Sequence, residues 1–314
     1  SENYMNVLVT GGAGYIGSHT TLALFKASFN VVVLDNLSNS SEEPINRVSL
    51  LIGKSITFIQ GDVRDYKLIL QLLIEYKIDA VIHFSGLKSV IESFYKPLNY
   101  YDNNVNGTIS LCKAMAKAKV FTLIFSSSAT VYGDQTNVPI SENQVTGFPK
   151  NPYGQSKYMV EQILIDLALS DNRWKISILR YFNPIGAHES GSIGEDTKNS
   201  PKNLIPYIAQ VALGKLPVLT IFGNDYATID GTGVRDYIHV IDLADGHIAA
   251  LKTLKKKSGV HVWNLGTGKG YSVLQIVETF EVGNGPQQML IEGNLLWISR
   301  TYYSSDWTNI YYGT

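Results

Sequence analysis

The chain has 314 residues, a formal net charge of -1, 45% hydrophobic residues and 17% charged residues. This composition is typical of a folded protein with a sizeable core, and it gives no electrostatic case for a nucleic-acid or membrane partner. No apolar run approaches the roughly 20 residues that span a bilayer. The single cysteine, Cys112, excludes an internal disulfide and fits a reducing compartment, so we expect a cytoplasmic protein.

The N-terminal pattern predicts a dinucleotide site. A strand over 5–10 enters the glycine-rich turn 11–17, a helical pattern follows through Leu24, and a second strand over 30–35 ends at Asp35. In such a unit the glycines allow a tight turn and close approach of the backbone to a pyrophosphate, which the helix N-terminus attracts. A carboxylate at the position of Asp35 can bind both ribose hydroxyls and repel a 2′-phosphate, which favours NAD over NADP.

Strand and helix patterns continue to alternate after this unit. Asp62 follows the third strand, where it either accepts from an adenine amino group or caps the next helix. Lys88 follows the fourth, where ligands of parallel sheets bind, and is either a cofactor contact or a surface lysine. The further elements predicted in this half are strands over 55–60, 80–84, 122–127 and 175–181, and helices over 100–119 and 152–168.

The second half has a less regular pattern. A polar stretch over 186–201 predicts a long loop, and loops of this length are usually functional or mobile. A short helix from Asn203, small strands over 219–223 and 233–240, a helix over 241–254 and a strand over 262–266 follow.

These elements predict an α/β fold. We expect a Rossmann-type doubly wound parallel sheet, with an NAD-binding domain over 1–182 that is joined by 238–262. We expect a smaller α/β substrate-binding lobe formed mainly by 183–314, with an atypical tail over 282–314.

A tyrosine and a lysine predict a general base. Pro152 can open a helix, and Tyr153 and Lys157 then project from the same face because they are four residues apart. An ammonium beside a phenol favours the phenolate. The serine-rich turn after the fifth strand can bring Ser128 to the same place. Most helices with this spacing use it only as a solvated pair, so the pair alone does not establish catalysis.

Other catalytic patterns are absent from the sequence. The six histidines have no metal-ligand spacing, so we predict no metal site. No phosphate-binding P-loop motif and no serine nucleophile motif occurs in the chain.

Five stretches of the sequence match one family's motifs in order: 10–18, 126–133, 151–157, 180–184 and 230–237. Through them the chain resembles the extended short-chain dehydrogenase/reductases, and among these the UDP-hexose 4-epimerases. The resemblance extends over about residues 5–280.

The resemblance implies tightly bound NAD and reversible interconversion of UDP-galactose and UDP-glucose by transient oxidation at the sugar C4 carbon. It implies that Tyr153 is the base for the 4-hydroxyl and that Ser128 hydrogen-bonds the same oxygen. Lys157 would bind the nicotinamide ribose and hold down the Tyr153 pKa. A homodimer packed through the helices near 100–119 and 152–168 is implied as well.

The resemblance also implies two sets of contacts. Arg235 suits a diphosphate, since a guanidinium makes two parallel bonds to phosphate oxygens. Phe222 is either a uracil-stacking ring or a core aromatic. The implied NAD site contains Gly11, Gly14, Tyr15, Ile16, Gly17, Asp35, Asn36, Asp62, Val63, Phe84, Lys88, Asn103, Tyr153, Lys157 and Phe182. The implied UDP-sugar site contains Ser128, Tyr153, Asn183, Asn203, Leu204, Phe222 and Arg235.

Two features qualify the resemblance. Ala129 and Thr130 stand where the related 4,6-dehydratases need an acid–base pair, and neither can titrate. From about Val282 the resemblance stops. No aspartate follows the tail's only arginine, Arg300, at the family spacing, so the family's diphosphate-binding role is not carried over to Arg300. Two alternatives therefore stay open: an NAD-binding homologue with impaired catalysis, and another NAD-dependent nucleotide-sugar epimerase.

Overall fold

The structure is a computed structural model. It describes residues 5–135, 137–147, 149–195 and 203–279, and the backbone of two strands at 288–292 and 295–299.

A seven-stranded parallel sheet forms the centre of the molecule, as the sequence predicts. The chain runs outward from β1 in both directions, so the carboxyl ends of β1 and β4 flank the point where the strand order reverses. In open α/β sheets ligands bind at this point. In sheet order the strands are β10 (Gly259–Leu265), β6 (Lys175–Tyr181), β5 (Thr122–Ser128), β4 (Ala80–His83), β1 (Asn6–Thr10), β2 (Asn30–Asp35) and β3 (Thr57–Gln60).

Helices cover both faces of this sheet and bury two apolar cores. The strands read as continuous apolar runs because a parallel sheet is buried on both sides. One face carries α1 (Tyr15–Lys26), α2 (Glu43–Ile52) and α9 (Val240–Leu254), and the other carries α3 (Tyr66–Glu75), α6 (Gly107–Ala118) and α7 (Pro152–Ser170).

The helix predicted over 100–119 is interrupted. After α4 (Val90–Tyr95) and α5 (Pro97–Tyr100) the chain forms a π-helix over Tyr101–Asn106 before α6 begins. A wider turn of this kind re-aims side chains and often occurs at functional sites. A purely α-helical periodicity cannot predict it.

The second half builds smaller elements around a third apolar cluster. The predicted strand over 219–223 ends early, and the one predicted over 262–266 begins earlier, at Gly259, and joins the large sheet. Strands β11 (Gly270–Ser272), β9 (Val234–His239) and β7 (Asn183–Ile185) form one small sheet. Strands β12 (Gln288–Glu292), β13 (Leu295–Ser299) and β8 (Leu219–Thr220) form another, and α8 (Leu204–Ala212) and α10 (Val273–Thr279) complete the half.

Parts of two predictions lie outside the described residues. They are positions 196–201 of the predicted loop and, apart from β12 and β13, the atypical tail. In the part of the chain that the structure describes, no helix is long and apolar enough to cross a membrane.

Candidate active site

The glycine turn between β1 and α1 brings its backbone close to neighbouring backbone atoms. Gly11 has a left-handed backbone with φ of 72°, and a Cβ atom there would lie 2.6 Å from the Ser85 nitrogen. A Cβ on Gly17 would lie 2.3 Å from the Gly11 oxygen. Gly14 caps α1 without a side-chain hydrogen bond, and the N-terminus of a helix attracts an anion.

Asp35 stands beside this turn, at the end of β2. Its Oδ2 atom accepts the Ala13 N–H at 3.1 Å, and its Oδ1 atom accepts the Leu37 N–H at 2.9 Å and the Ser40 hydroxyl at 2.9 Å. These bonds fix a buried carboxylate next to the glycine turn, where the ribose of a dinucleotide lies in this fold.

Asp62 lies on the next strand end and contacts Asn36, whose amide donates to its Oδ2 atom at 3.1 Å. The alternative that Asp62 caps the next helix is wrong: Asp65 is the cap of α3 and accepts the Leu68 N–H at 3.0 Å. Hydrogen bonds from Arg64 hold the pKa of the Asp62 carboxyl well below its usual range, so Asp62 is an anion at neutral pH.

The π-helix aims one asparagine at the end of β4. Asn104, the neighbour of the predicted Asn103, donates to the Leu87 oxygen at 3.0 Å and to the Ser156 hydroxyl at 2.9 Å, and accepts the Leu87 N–H at 2.8 Å. It therefore joins the loop after β4 to α7. Asn103 is half-buried beside it.

Lys88 and Asn203 meet at one carboxylate. The Lys88 ammonium lies 3.8 Å from Glu195, and the Asn203 amide donates to Glu195 Oε1 at 2.7 Å. A predicted cofactor residue and a predicted substrate residue are thus brought together by a glutamate that the sequence did not single out.

Helix α7 presents the predicted base. The Asn151 side chain accepts the Gly154 N–H at 2.8 Å and Pro152 occupies the first turn, so the helix begins where the sequence predicts. The Ser128 hydroxyl is a hydrogen-bond partner of the Tyr153 phenol.

Lys157 is buried one turn further along α7. Its Nζ donates to the Ser126 backbone oxygen at 2.7 Å and lies 5.0 Å from the centre of the Phe125 ring. A Cβ on Gly86, at the end of β4, would lie 3.6 Å from Nζ. The three predicted catalytic residues therefore share one location at the carboxyl edge of the sheet.

Burial dominates the proton affinities at this location. It raises the pKa of the Tyr153 phenol above its ordinary value, while the Ser128 hydrogen bond lowers it. It lowers the pKa of the Lys157 ammonium to about 8, and the Glu161 carboxylate opposes this. The expected lowering of the Tyr153 pKa by Lys157 stays a prediction.

The remaining cofactor residues lie around the same edge. The Tyr15 phenol donates to the Gly186 oxygen at 2.5 Å. Ile16 and Phe84 pack against the second apolar core, and the Phe84 ring lies 4.9 Å from that of His247. Val63 is buried. A Cβ on Gly266 would lie 2.9 Å from the half-buried Phe182 ring.

The residues predicted to bind the sugar nucleotide are more dispersed. Asn183 donates to the Asp236 oxygen at 3.1 Å. Leu204 is half-buried at the start of α8, and the exposed Arg235 donates to the neighbouring Val234 oxygen at 2.8 Å. Phe222 is 85% exposed, so the alternative that it is a core aromatic is wrong.

The residues present fit a bound dinucleotide. The glycine turn leaves no room for side chains at Gly11 and Gly17, and the helix end is free of side-chain caps. Asp35 supplies a fixed acceptor. Among the described residues, no three histidine, cysteine, aspartate or glutamate side chains could hold a metal ion.

The fold and this location define a Rossmann-type NAD enzyme of the Tyr-x-x-x-Lys class. The family model described as the NAD dependent epimerase/dehydratase family matches residues 7–266. The chain belongs to this family, which confirms the predicted family, fold class and cofactor.

Individual relatives agree with this assignment. The chain is 57% identical over 280 residues to UDP-glucose 4-epimerase of Pasteurella multocida, an alignment that covers 89% of this chain and 83% of that relative. The UDP-glucose 4-epimerase structure from Stenotrophomonas maltophila, with bound NAD and formylated UDP-arabinopyranose, has a TM-score of 0.87 and 50% identity over 89% of this chain and 83% of that one. The Bifidobacterium longum enzyme, in complex with NAD+ and UDP, has a TM-score of 0.86 and 52% identity over 88% and 82%.

Proposed function

We propose that this chain interconverts UDP-galactose and UDP-glucose by transient oxidation at the sugar C4 carbon. The observation that carries the proposal is the meeting of Tyr153, Ser128 and Lys157 beside the glycine turn. Relatives named UDP-glucose 4-epimerase support the substrate. An NAD-binding homologue with impaired catalysis is not favoured, since those relatives match 89% and 88% of this chain.

The protein's own contribution is proton transfer and orientation. When bound, NAD accepts a hydride from C4 and returns it. Tyr153 takes the proton of the sugar 4-hydroxyl as the O–H bond of that hydroxyl breaks and the C4 carbonyl forms. It gives the proton back to the same oxygen when the hydride returns to the opposite face of the C4 carbonyl. A base poised for both directions suits a reversible reaction. Ser128 holds the same oxygen, and Lys157 orients the nicotinamide ribose.

The proposed binding residues form two sets, one for NAD and one for the sugar nucleotide. We assign the pyrophosphate to the N-terminus of α1, the adenosine ribose to Asp35 and the adenine side to Asp62 with Asn36. The sugar nucleotide would contact Asn183, Asn203, Leu204, Phe222 and Arg235. The exposed Phe222 ring is available for stacking on uracil, and Arg235 for the diphosphate.

The assay is direct. Purified chain is incubated with UDP-galactose, and the anomeric protons of UDP-glucose are followed by NMR. We expect both sugars to reach one equilibrium ratio from either starting compound. Absence of turnover in protein that carries bound NAD would refute the proposed activity and support the impaired homologue.

We also propose a homodimer. Large apolar side chains are exposed on α4 and α5 and on the neighbouring α7, namely Ile91, Phe94, Tyr95, Leu98, Met159 and Leu169. Large exposed apolar side chains on neighbouring helices are typical of an interaction surface. This set includes part of the predicted 152–168 helix but lies before, not within, 100–119. Light scattering of the purified chain tests the proposal, and a monomeric mass would contradict it.

A cytoplasmic location is the last part of the proposal. It is supported by the single cysteine, which is a free, buried thiol, because such a chain needs no oxidising compartment. Cell fractionation tests it, and recovery in a membrane or secreted fraction would contradict it.

A further inference from the structure

A buried ion pair lies behind the catalytic residues. Glu161 and Arg180 are 0% and 5% exposed. Arg180 Nε donates to Glu161 Oε1 at 3.0 Å, and its Nη2 donates to Oε2 at 2.6 Å. The Ser127 hydroxyl donates to Oε1 at 2.5 Å. Both oxygens of this carboxylate are therefore hydrogen-bonded, and nothing in the proposed proton transfer uses it.

Glu161 lies on the same face of α7 as the catalytic residues. Tyr153, Lys157 and Glu161 follow one another at four-residue spacing on α7, so they form one row on the helix. Opposite them, Ser128 contacts Tyr153, the Ser126 oxygen accepts from Lys157, and Ser127 donates to Glu161. Each row member on the helix thus meets one of three consecutive strand residues.

The same network reaches the next strand. Arg180 lies directly beside Ser127 in the pairing of β5 with β6. Its Nη1 donates to the Tyr132 hydroxyl at 2.9 Å, and that hydroxyl donates to Asn264 Oδ1 at 2.7 Å. The guanidinium thereby bridges Glu161 and Tyr132.

Stability alone is a weak reason for such a pair, because taking two charges out of water offsets most of their attraction. A stronger reason for the pair is that Glu161 supplies a counter-charge for Lys157. Two titratable groups interact electrostatically with that ammonium, Glu161 on α7 and His83 at the end of β4. Burial lowers the pKa of His83 to about 3, so His83 is neutral at neutral pH, and Glu161, paired with Arg180, is the carboxylate of this set.

We propose that Glu161 is a positioning residue that acts through Lys157: its carboxylate, fixed by Arg180 and Ser127, holds the buried ammonium charged and in place at the end of β5. The expected effect of Glu161 on turnover rests on the proposed function. The expected effect of Glu161 on the Lys157 ammonium does not depend on that function.

The test is a titration of Lys157 in the full chain. Protein labelled with ¹³C at the lysine Cε is followed by NMR from pH 6 to 11, and the Lys157→Arg variant assigns the signal. We expect Glu161→Gln to lower the Lys157 pKa by about one unit. The alkaline limb of kcat should move by the same amount, with the KM for UDP-galactose within about twofold.

Two controls separate this role from a structural one. Glu161→Asp keeps the charge and should titrate like the unmodified chain, as should Glu75→Gln, which makes the same change at an exposed position of α3. An unchanged Lys157 pKa in Glu161→Gln, or an equal shift in Glu161→Asp, would overturn the proposal.

The proposal also remains testable if Glu161→Gln does not fold. The double variant Glu161→Met/Arg180→Met removes both charges, a change that buried pairs often tolerate. A lowered Lys157 pKa in that variant supports the proposal, because loss of the Arg180 cation alone would raise it, and a raised pKa refutes it. Absence of turnover in the unmodified chain would refute the proposed activity and leave this titration as an independent result.

Discussion

Replacing Tyr153 by phenylalanine tests the base directly. The change removes one hydroxyl, and Ser128 keeps a partner because the Thr130 hydroxyl donates to it at 2.9 Å. The loss of a single hydrogen bond should therefore lower the free energy of unfolding by only about 1 kcal/mol. Loss of a general base should lower kcat by about 10²–10⁴, which corresponds to about 3–5 kcal/mol in the activation free energy.

The expected loss of stability is much smaller than the expected rise in the activation free energy, so the two effects can be distinguished. Epimerisation of UDP-galactose is followed by NMR, thermal unfolding reports the fold, and the absorbance ratio at 260 and 280 nm reports bound NAD. Tyr158→Phe, on the same helix and half-buried, is the matched control and should keep full activity. If Tyr153→Phe retains more than about a tenth of kcat, the assignment of the base is wrong.

Three further predictions concern the cofactor turn, the dimer and acid stability. Gly17→Ala places a Cβ 2.3 Å from a backbone oxygen, so the melting temperature and the bound NAD should both fall, and unchanged values would refute the close packing. Phe94→Glu, at a position that is 58% exposed, should give a monomer in light scattering, whereas Leu50→Glu on α2 should not; a dimer in both would sink the proposed interface. Burial lowers the pKa of His83 to about 3 and of His247 to about 4. Because the unfolded chain binds these protons near pH 6.5 and the native state does not, stability is complete above that pH and falls toward pH 4, by about 2 kcal/mol per histidine at pH 5. Urea unfolding at pH 7 and pH 5 measures this loss, and equal free energies would contradict it.

The parts of the fold that depend on local patterns were predictable. Gly11 and Gly17 need a backbone without side chains, and Pro152 with Asn151 begins a helix by chemistry that is visible in the sequence. The π-helix over 101–106 was not predictable, because an α-helical period places Asn103 and Asn104 without showing which one is buried. The cap at Asp65 was missed for a similar reason, since Asp62 and Asp65 are both acceptable caps until Arg64 engages one of them.

The serine turn shows why a correct residue can be predicted without its surroundings. In the sequence, Ser126, Ser127 and Ser128 are three equivalent hydroxyls after a strand. In the structure each serine has a different partner. The Ser126 backbone oxygen accepts from Lys157, the Ser127 hydroxyl donates to Glu161, and the Ser128 hydroxyl interacts with Tyr153.

This difference comes from packing a row of helical residues against consecutive strand residues. A substitution at any one of the three serines should therefore disturb a different property. Loss of the Ser128 hydroxyl acts on proton transfer, because it removes the partner of the base. Loss of the Ser127 hydroxyl acts on the anchor of Glu161. At Ser126 the backbone oxygen is the acceptor for Lys157, so replacing its side chain by alanine preserves that contact.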